Sequence, residues 1–270
     1  MRINSRDNSL LRQARAVRDA RINDLIFVEG LRLSEEALRS SLPIEAVIFS
    51  DEIARKPKAA PIIAELVNAA DRAAEVSEKL LESISFTKTP QGVVVLAQRP
   101  DSNSSRLISN SDGNSLLVVL HKINNPVNVG AIIRTAEAAG ASGAIATFTT
   151  SDPFSPKALR GAMGSAFRLP IWHGPAFQEV IDWCKARGIR TVSAGAASKM
   201  SFAEVDWTES RALILGPESE GLSDDEMAAA DYSVRIPMQG SVESLNVAVA
   251  AGVLLYEAAR QRGRKVMSHE

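Results

Sequence analysis

The stretch LILGPESEGLS, residues 213–223, indicates the fold class, because an apolar run ends at a glycine and gives way to a polar loop. Two similar junctions follow it, VRIPM at residues 234–238 and ESLNVAVAAG at residues 243–252. Further upstream, apolar runs alternate with helical patterns in the same way. Such alternation predicts a parallel sheet covered on both faces, which is an α/β fold.

The predicted strands and helices divide the chain into two parts. In the C-terminal half the runs SLLVVL, GAIAT, LPIW, RTVSA, RALILG and YSVRIP are expected strands, with helices starting near Val129 and Pro156, a helix around Val180 and a long final helix. In the N-terminal part LIFVEG, AVIFS and GVVVLA are expected strands, with helices over residues 31–40 and 61–70. Between them, residues 99–115 are rich in Ser, Asn, Asp and Gly. We therefore predict a small α/β domain over residues 1–98, a linker over 99–115 and a second domain over 116–270.

Composition narrows the class of protein. The 270 residues are 45% hydrophobic and 23% charged with a formal net charge of −1, so any contact with RNA must come from local basic patches. Cys184 is the single cysteine, which excludes a disulfide framework and predicts a packed thiol in a reducing cytoplasm. The first residues lack an apolar signal core, and no run approaches the ~18 apolar residues of a membrane span. We expect a soluble cytoplasmic protein with no membrane contact.

The glycine spacing of the loop after residue 215 matches that of a phosphate-binding P-loop. Leu222 stands where the phosphate-binding lysine is required, and Glu218 and Glu220 would repel phosphate. Nucleotide hydrolysis is therefore disfavoured. No G-x-G-x-x-G motif follows a strand and no G-x-S-x-G motif is present, which argues against a dinucleotide fold and a serine hydrolase.

Metal binding is also disfavoured. The three histidines, His121, His173 and His269, are scattered along the chain, and only one cysteine accompanies them. No metal-ligand spacing results, and we predict no metal.

The run from His121 to Gly140 is a second candidate site. We expect Asn128 to be the N-cap of a helix, with Gly130 and Arg134 on one face, four residues apart. Arg134 could then reach back towards the helix N-terminus, where anions bind. The alternative is that Asn128 only caps the helix and Arg134 is a solvated charge.

Taken together, the motifs carry a family resemblance. They are N-x-G-x-x-x-R-T-A from Asn128, G-x-E-x-x-G-L from Gly216, and I-P-M from Ile236 followed by S-L-N-V from Ser244. In this order and spacing they resemble the SpoU (TrmH-like) class of SPOUT RNA 2'-O-ribose methyltransferases. The first hundred residues, opening with NSLLRQARAVRDARINDLIFVEG, are similar to the L30e-like RNA-binding domain of that class.

The resemblance implies a C-terminal deep trefoil knot, S-adenosylmethionine as cofactor, and a set of site residues. Cofactor-binding residues would be Gly216, Ile236, Met238 and Leu245, where glycine allows close approach and the others offer apolar surface. Catalysis would rest on Arg134, with Asn128, Glu218, Ser244 and Asn246 around it. Arg134 would either take the proton of the ribose hydroxyl directly, or stay charged and stabilise the developing alkoxide. We expect Ser244 to cap the last helix, with Asn246 in its first turn.

The resemblance also implies a homodimer through the knot domain and an RNA substrate. Ribosomal RNA is favoured over transfer RNA because of the L30e-like domain, and a non-catalytic RNA-binding or assembly protein is the alternative from another class. RNA contacts are expected from the N-terminal arginines, Arg2, Arg6, Arg12, Arg15, Arg18 and Arg21. Four positions depart from the family pattern. His121 stands where relatives often have aspartate, Asn125 where an acid is common, and Ala162 and Ser165 where relatives more often have Ser and Ala respectively.

Overall fold

The computed structural model describes residues 1–108 and 114–263. Part of the expected linker, residues 109–113, and His269 lie outside the described residues. The helices are α1 (Ser9–Arg18), α2 (Leu31–Arg39), α3 (Ala60–Ala69), α4 (Glu78–Ile84), α5 (Ser105–Ile108), α6 (Pro126–Ala138), α7 (Pro156–Ala162), α8 (Ser165–Arg168), α9 (Phe177–Ala186), α10 (Asp224–Ala228) and α11 (Val247–Gln261). Short 3-10 helices cover Ile53–Arg55 and Phe202–Glu204.

The strands form two separate sheets. They are β1 (Leu25–Glu29), β2 (Ile44–Ser50), β3 (Ala70–Val76), β4 (Val93–Gln98), β5 (Leu116–Leu120), β6 (Gly143–Ala146), β7 (Ile171–His173), β8 (Arg190–Ala194), β9 (Met200–Ser201), β10 (Arg211–Leu215) and β11 (Tyr232–Arg235). The first sheet has the order β1-β4-β2-β3, and the second has the order β7-β6-β5-β10-β8-β11-β9.

The chain divides into two compact units. The first contains residues 1–100 and 154–168, and the second contains residues 101–153 and 169–270. The domain limits expected from the sequence stay a prediction. Within the expected linker, Leu107 of α5 is buried in the core of the second unit, where it packs with residues such as Leu117 and Trp172.

The first unit is built on the mixed four-stranded sheet. β4 pairs antiparallel with β1 and β2, and β3 pairs parallel with β2. Helices α1 and α4 bury apolar side chains against Phe27, Ile48 and Leu96 of the sheet. Helices α2 and α3 contact β1, β2 and β4, and α7 packs on β1.

The second unit is built on the seven-stranded sheet, in which all pairs are parallel. Every residue of β5 and β10 is buried, as expected for central strands covered on both faces. Helices α5 and α9 contribute to the core on one face, and α6 and α11 pack together. The predicted α/β fold with a parallel C-terminal sheet is confirmed. Within the described ranges, no helix is both long and apolar enough to cross a membrane.

Candidate functional site

A cleft of about 450 Å³ lies in the second unit, at the carboxyl ends of β8, β10 and β11. The segments that follow these strands form its walls, together with the start of α11. In parallel α/β sheets this is the edge at which ligands bind, and the volume is in the range of small-molecule sites.

The loop between β10 and α10 folds back on itself at Gly216. A Cβ atom at this position would lie 2.8 Å from both the Cγ and the backbone nitrogen of Leu222. Leu222 is buried in the core, and Gly221 has a φ of +68° and donates its N–H to the carbonyl of Pro217 over 3.0 Å. A glycine is therefore required at 216 for closure of the loop as well as for the open cleft wall beside it.

The four residues predicted to bind the cofactor all line this cleft. Ile236 and Met238 are half-buried in the irregular segment that follows β11, and Leu245 lies just before α11. Leu215, Met227, Val234 and Val247 add further apolar surface. Glu218 and Ser244 of the predicted catalytic set also line the cleft.

The charged groups in the cleft are of one sign. Four carboxylates line it, from Glu218, Glu220, Asp224 and Glu243. No lysine, arginine or histidine is among the residues that line it, all of which belong to the described part of the chain. The cleft is therefore electrostatically unsuited to a phosphate and suited to a cation bound on an apolar wall.

Asn128 connects this cleft to α6, and its position differs from the one expected. The N-cap of α6 is Asn125, whose side chain accepts a hydrogen bond from the N–H of Val127 over 3.0 Å, and Pro126 occupies the first helical position. The prediction that Asn128 is the cap was wrong. Because Asn128 lies one turn into the helix, its side-chain amide is free to donate to Glu218 Oε1 over 2.9 Å.

Asn246 extends this connection and corrects a second expectation. Its side-chain oxygen caps α11 by accepting from the N–H of Ala248 over 3.0 Å, and its amide donates to Asn128 Oδ1 over 3.4 Å. The prediction that Ser244 caps α11 was wrong, since the backbone stays irregular through residue 245 and Ser244 lies in the cleft wall. Three separate motifs thus meet in the chain of contacts Asn246, Asn128 and Glu218.

Arg134 is not among the residues that line the cleft. Its side chain is exposed on α6, on the same helical face as Val127, seven residues earlier. Among the described residues it has no hydrogen bond or ion pair. The structure of the single chain therefore leaves its guanidinium available to a ligand or to another chain.

A polar cluster beside the cleft was missed from the sequence. Glu226 of α10 accepts hydrogen bonds from Lys122 Nζ at 2.6 Å and from the backbone N–H of Ser223 at 2.9 Å, and lies 2.9 Å from His121 Nε2. Burial opposes its ionisation, but these hydrogen bonds together lower the pKa of Glu226 to about 2. The pattern Ser223-x-x-Glu226, a capping box, was visible in the sequence, whereas its partners in the two residues that follow β5 were not.

His121 lies within this cluster, and its contacts fit a neutral imidazole ring. Its Nδ1 is 3.0 Å from the Thr147 hydroxyl, and its ring packs against Phe177 with 4.4 Å between centroids. Burial lowers the pKa of His121, although Glu226 acts in the opposite direction. A neutral imidazole that donates from Nε2 to Glu226 and accepts at Nδ1 from Thr147 satisfies both contacts.

Comparison with known proteins identifies the family. The model of the SpoU rRNA Methylase family matches residues 115–256, the span that contains the cleft and the chain of contacts. The chain belongs to the SpoU rRNA methylase family. The model of the MRM3-like substrate binding domain matches residues 10–95, which places a second known module in the N-terminal part of this SpoU methylase.

Several relatives match this SpoU methylase over most of its length. A 23S rRNA (uridine(2479)-2'-O)-methyltransferase of Streptomyces viridochromogenes is 32% identical, over 87% of this chain and 83% of its own. The 23S rRNA (guanosine(2553)-2'-O)-methyltransferase RlmP of Bacillus subtilis is 29% identical, over 85% of this chain and 86% of its own.

Solved structures agree in fold. The SpoU methyltransferase AviRb from Streptomyces viridochromogenes, in complex with the cofactor AdoMet, has a TM-score of 0.84 at 30% identity and covers 94% of this chain and 98% of its own. An AdoMet-bound rRNA methyltransferase from Sinorhizobium meliloti has a TM-score of 0.82 at 31% identity, covering 96% and 97%.

The single thiol of this SpoU methylase lies in the protein core. Cys184 is fully buried in the core of the second unit, and burial raises its pKa to about 12, which confirms the predicted packed thiol. Among the described residues, no three His, Cys, Asp or Glu side chains are grouped so that they could hold a metal ion.

Proposed function

We propose that this protein transfers the methyl group of S-adenosylmethionine to a ribose 2'-hydroxyl of ribosomal RNA. The observation that carries the proposal is the combination of apolar walls and four carboxylates in a cleft lined by no basic side chain. Family membership and the relatives' activity support the same reaction.

The residues of the cleft fit the cofactor. S-adenosylmethionine supplies, when bound, a methyl group activated by a positively charged sulfur. Ile236, Met238 and Leu245 offer apolar surface to an adenine ring, and the segment at Gly216 forms the adjoining wall. The acidic lining favours a sulfonium over a phosphate, which separates this reading from the P-loop alternative.

The chain of contacts from Asn246 through Asn128 to Glu218 positions the acidic side of the site. Asn128 is 8% exposed and binds one carboxylate oxygen of Glu218, so the direction of the carboxylate is set by α6. The other oxygen, Oε2, has no hydrogen bond among the described residues and is available to a cation. We assign to Glu218 the orientation of a cationic group, either Arg134 or the cofactor.

Arg134 is assigned the contact with the RNA. Its guanidinium is exposed, so nothing described removes it from water, and a charged guanidinium suits a phosphate and a developing alkoxide. We therefore assign to Arg134 the role of a charged group that binds the phosphate next to the target ribose and stabilises charge on the attacking oxygen.

A homodimer would complete this site. Val249, Val253 and Tyr256 of α11 are 54%, 36% and 39% exposed and follow one another at helical spacing. On α6, which packs against α11 in the same chain, Val127 is 43% exposed and lies on the same helical face as Arg134. An apolar stripe of this kind marks an association surface, and a symmetric pair of such stripes would enclose Arg134 near a second chain.

The remaining implications of the family are proposed in the same way. We infer a deep trefoil knot formed by the C-terminal segment, whose loops after β10 and β11 wall the cleft, and an L30e-like fold for the N-terminal domain. We also expect the protein to act in the cytoplasm.

Four of the six N-terminal arginines separate into two groups as RNA contacts. Arg18 and Arg21 pair with Asp19, and Arg18 also donates to the carbonyls of Ile84 and Ser85. Arg6 and Arg12 are exposed, without an ion pair among the described residues. We therefore assign phosphate contacts of this domain to Arg6 and Arg12 before the others.

The test is methyl transfer to ribosomal RNA from cells that lack the gene. Purified protein with labelled S-adenosylmethionine should modify this RNA, and mapping of 2'-O-methyl positions in cells with and without the gene should identify the same ribose. Arg134→Ala should abolish transfer while calorimetry shows unchanged S-adenosylmethionine binding. Near-normal turnover in that variant would contradict the role of Arg134. Modification of transfer RNA but not of ribosomal RNA would show that transfer RNA is the substrate.

A further inference from the structure

Phe148 is an exposed aromatic ring held on a turn at the carboxyl end of β6. Its side chain is 78% exposed, the largest exposed fraction among the described large hydrophobic residues. A single exposed apolar side chain is common in proteins, so exposure alone carries no conclusion. What distinguishes Phe148 is how firmly its backbone is held and where the turn lies.

The turn that carries Phe148 is tied to the loops on both sides. The N–H of Phe148 donates to the carbonyl of Pro175 over 2.9 Å, and the N–H of Thr147 donates to the carbonyl of Leu120 over 3.1 Å. Beyond the ring, Thr150 Oγ1 donates to the same Leu120 carbonyl over 2.8 Å, and the N–H of Ser151 donates to the carbonyl of Ile123 over 2.9 Å. A ring on such a turn binds a flat partner without the entropy cost of ordering a loop.

The turn is also connected to the proposed cofactor cleft. Thr147 contacts His121, and His121 contacts Glu226 of α10, the helix whose Asp224 and Met227 line the cleft. In the sheet, β6 neighbours β5 and β5 neighbours β10, so the ends of β6 and β10 are two strand spacings, or about 10 Å, apart. The Phe148 turn and the cleft therefore lie on the same edge of the sheet, close enough for one short segment of RNA to contact both.

We propose that Phe148 is a stacking platform for a nucleobase of the RNA substrate, next to the ribose that is methylated. This inference rests on the proposed function. Single-stranded RNA is recognised by stacking of splayed bases on aromatic side chains. The backbone carbonyl of Asn124 accepts a hydrogen bond from Ser151 Oγ over 2.6 Å. The side chain of this exposed residue offers an amide group to the edge of the same base.

A protein partner fits this position less well. Stable protein interfaces bury about 800 Å² on each partner, and around Phe148 the turn presents polar residues such as Thr149 and Asn124. The apolar stripe suited to a second chain lies instead on α11. One isolated ring in a polar surround is the geometry of a base-stacking site.

Phe148→Leu removes the ring and keeps the apolar character. In the full-length protein it should weaken binding of single-stranded nine-nucleotide uridine and adenosine oligoribonucleotides roughly ten-fold, as expected for loss of one stacked base. The KM for ribosomal RNA from cells lacking the gene should rise by a similar factor, with kcat and S-adenosylmethionine affinity unchanged. Phe148→Trp should restore binding, and its added indole fluorescence should be quenched by the oligonucleotides.

The matched control is Tyr232→Leu, which removes a partly exposed ring from the opposite, amino edge of the same sheet and should leave both constants unchanged. Methyl transfer by the wild type with an unaltered KM in Phe148→Leu would overturn the stacking role alone. A change in molecular mass of Phe148→Leu by light scattering would assign the ring to a subunit contact and overturn it too. Absence of transfer by the wild type would instead overturn the proposed function.

Discussion

Glu226→Gln should destabilise the second unit by about 3 kcal/mol at pH 7. The pKa of Glu226 is lowered from its ordinary 4.5 to about 2, because hydrogen bonds from Lys122, Ser223 and His121 outweigh the opposing effect of burial. Each pKa unit between the folded and unfolded states corresponds to about 1.36 kcal/mol. The side chain is 16% exposed, so solvent screening reduces this figure little.

The sign of the pH dependence follows from the direction of the shift. A carboxylate with a lowered folded pKa stabilises the fold fully above its unfolded pKa, and the stabilisation is lost as pH falls towards the folded value. The difference between wild type and Glu226→Gln should therefore be near its maximum at pH 6 to 7. At pH 3 it should fall to less than half of its value at pH 7.

The assay is urea unfolding followed by tryptophan fluorescence, since the three tryptophans, Trp172, Trp183 and Trp207, all lie in the second unit. The matched control is Glu204→Gln, because Glu204 makes the same capping-box contact, to the N–H of Ser201 at 2.8 Å, but is exposed and has no ion pair among the described residues. Glutamine preserves a capping box, so both variants keep that contact. Equal destabilisation in the two variants, or a difference independent of pH, would show that the ionised Glu226 does not stabilise the second unit.

Three further predictions concern other parts of the second unit. Asn128→Asp places a second carboxylate against Glu218 and should lower the rate of methyl transfer at least ten-fold at pH 8. The rate should recover in part at lower pH, because the two carboxylates can share a proton, and a pH profile parallel to that of the wild type would contradict this. Light scattering should give twice the 29.0 kDa chain mass for the wild type and the single-chain mass for Val253→Glu, while Tyr232→Glu, outside the stripe, should stay dimeric. Cys184 should resist iodoacetamide at pH 8 in the folded protein and react after unfolding in urea, because a pKa of about 12 leaves about one thiol in ten thousand ionised; rapid labelling of the folded protein would count against its burial.

Sequence patterns predicted the central elements well and the marginal ones poorly. The strands β5 and β10 were predicted because they lie in nearly continuous apolar runs, which are typical of strands covered on both faces. β3, ADRAAEV, was not predicted, since only Ala74 and Val76 are buried and the strand depends on pairing with β2 at the sheet edge. Local propensity carries little information for such a strand.

Helix starts illustrate a second limit. Asn125 and Asn128 are equally good N-caps by residue type, as are Ser244 and Asn246, so local preference does not choose between them. The tertiary structure chooses, because Asn128 is engaged by Glu218, ninety positions away in the chain, and Asn246 by Asn128. The two wrong N-cap predictions, Asn128 and Ser244, therefore concern residues that belong to the site.

The amino-acid sequence alone was enough to predict the α/β class and the alternation of strands and helices, because these follow from periodicity and residue type over a few turns of chain. The family was recognised separately, from the resemblance of its motifs. The position of β10 between β5 and β8, the grouping of the carboxylates in one cleft with apolar walls, and the location of Arg134 outside that cleft became known from the folded chain. The reason is physical: strand order and side-chain contacts between distant residues depend on packing of the whole unit, which no local stretch encodes.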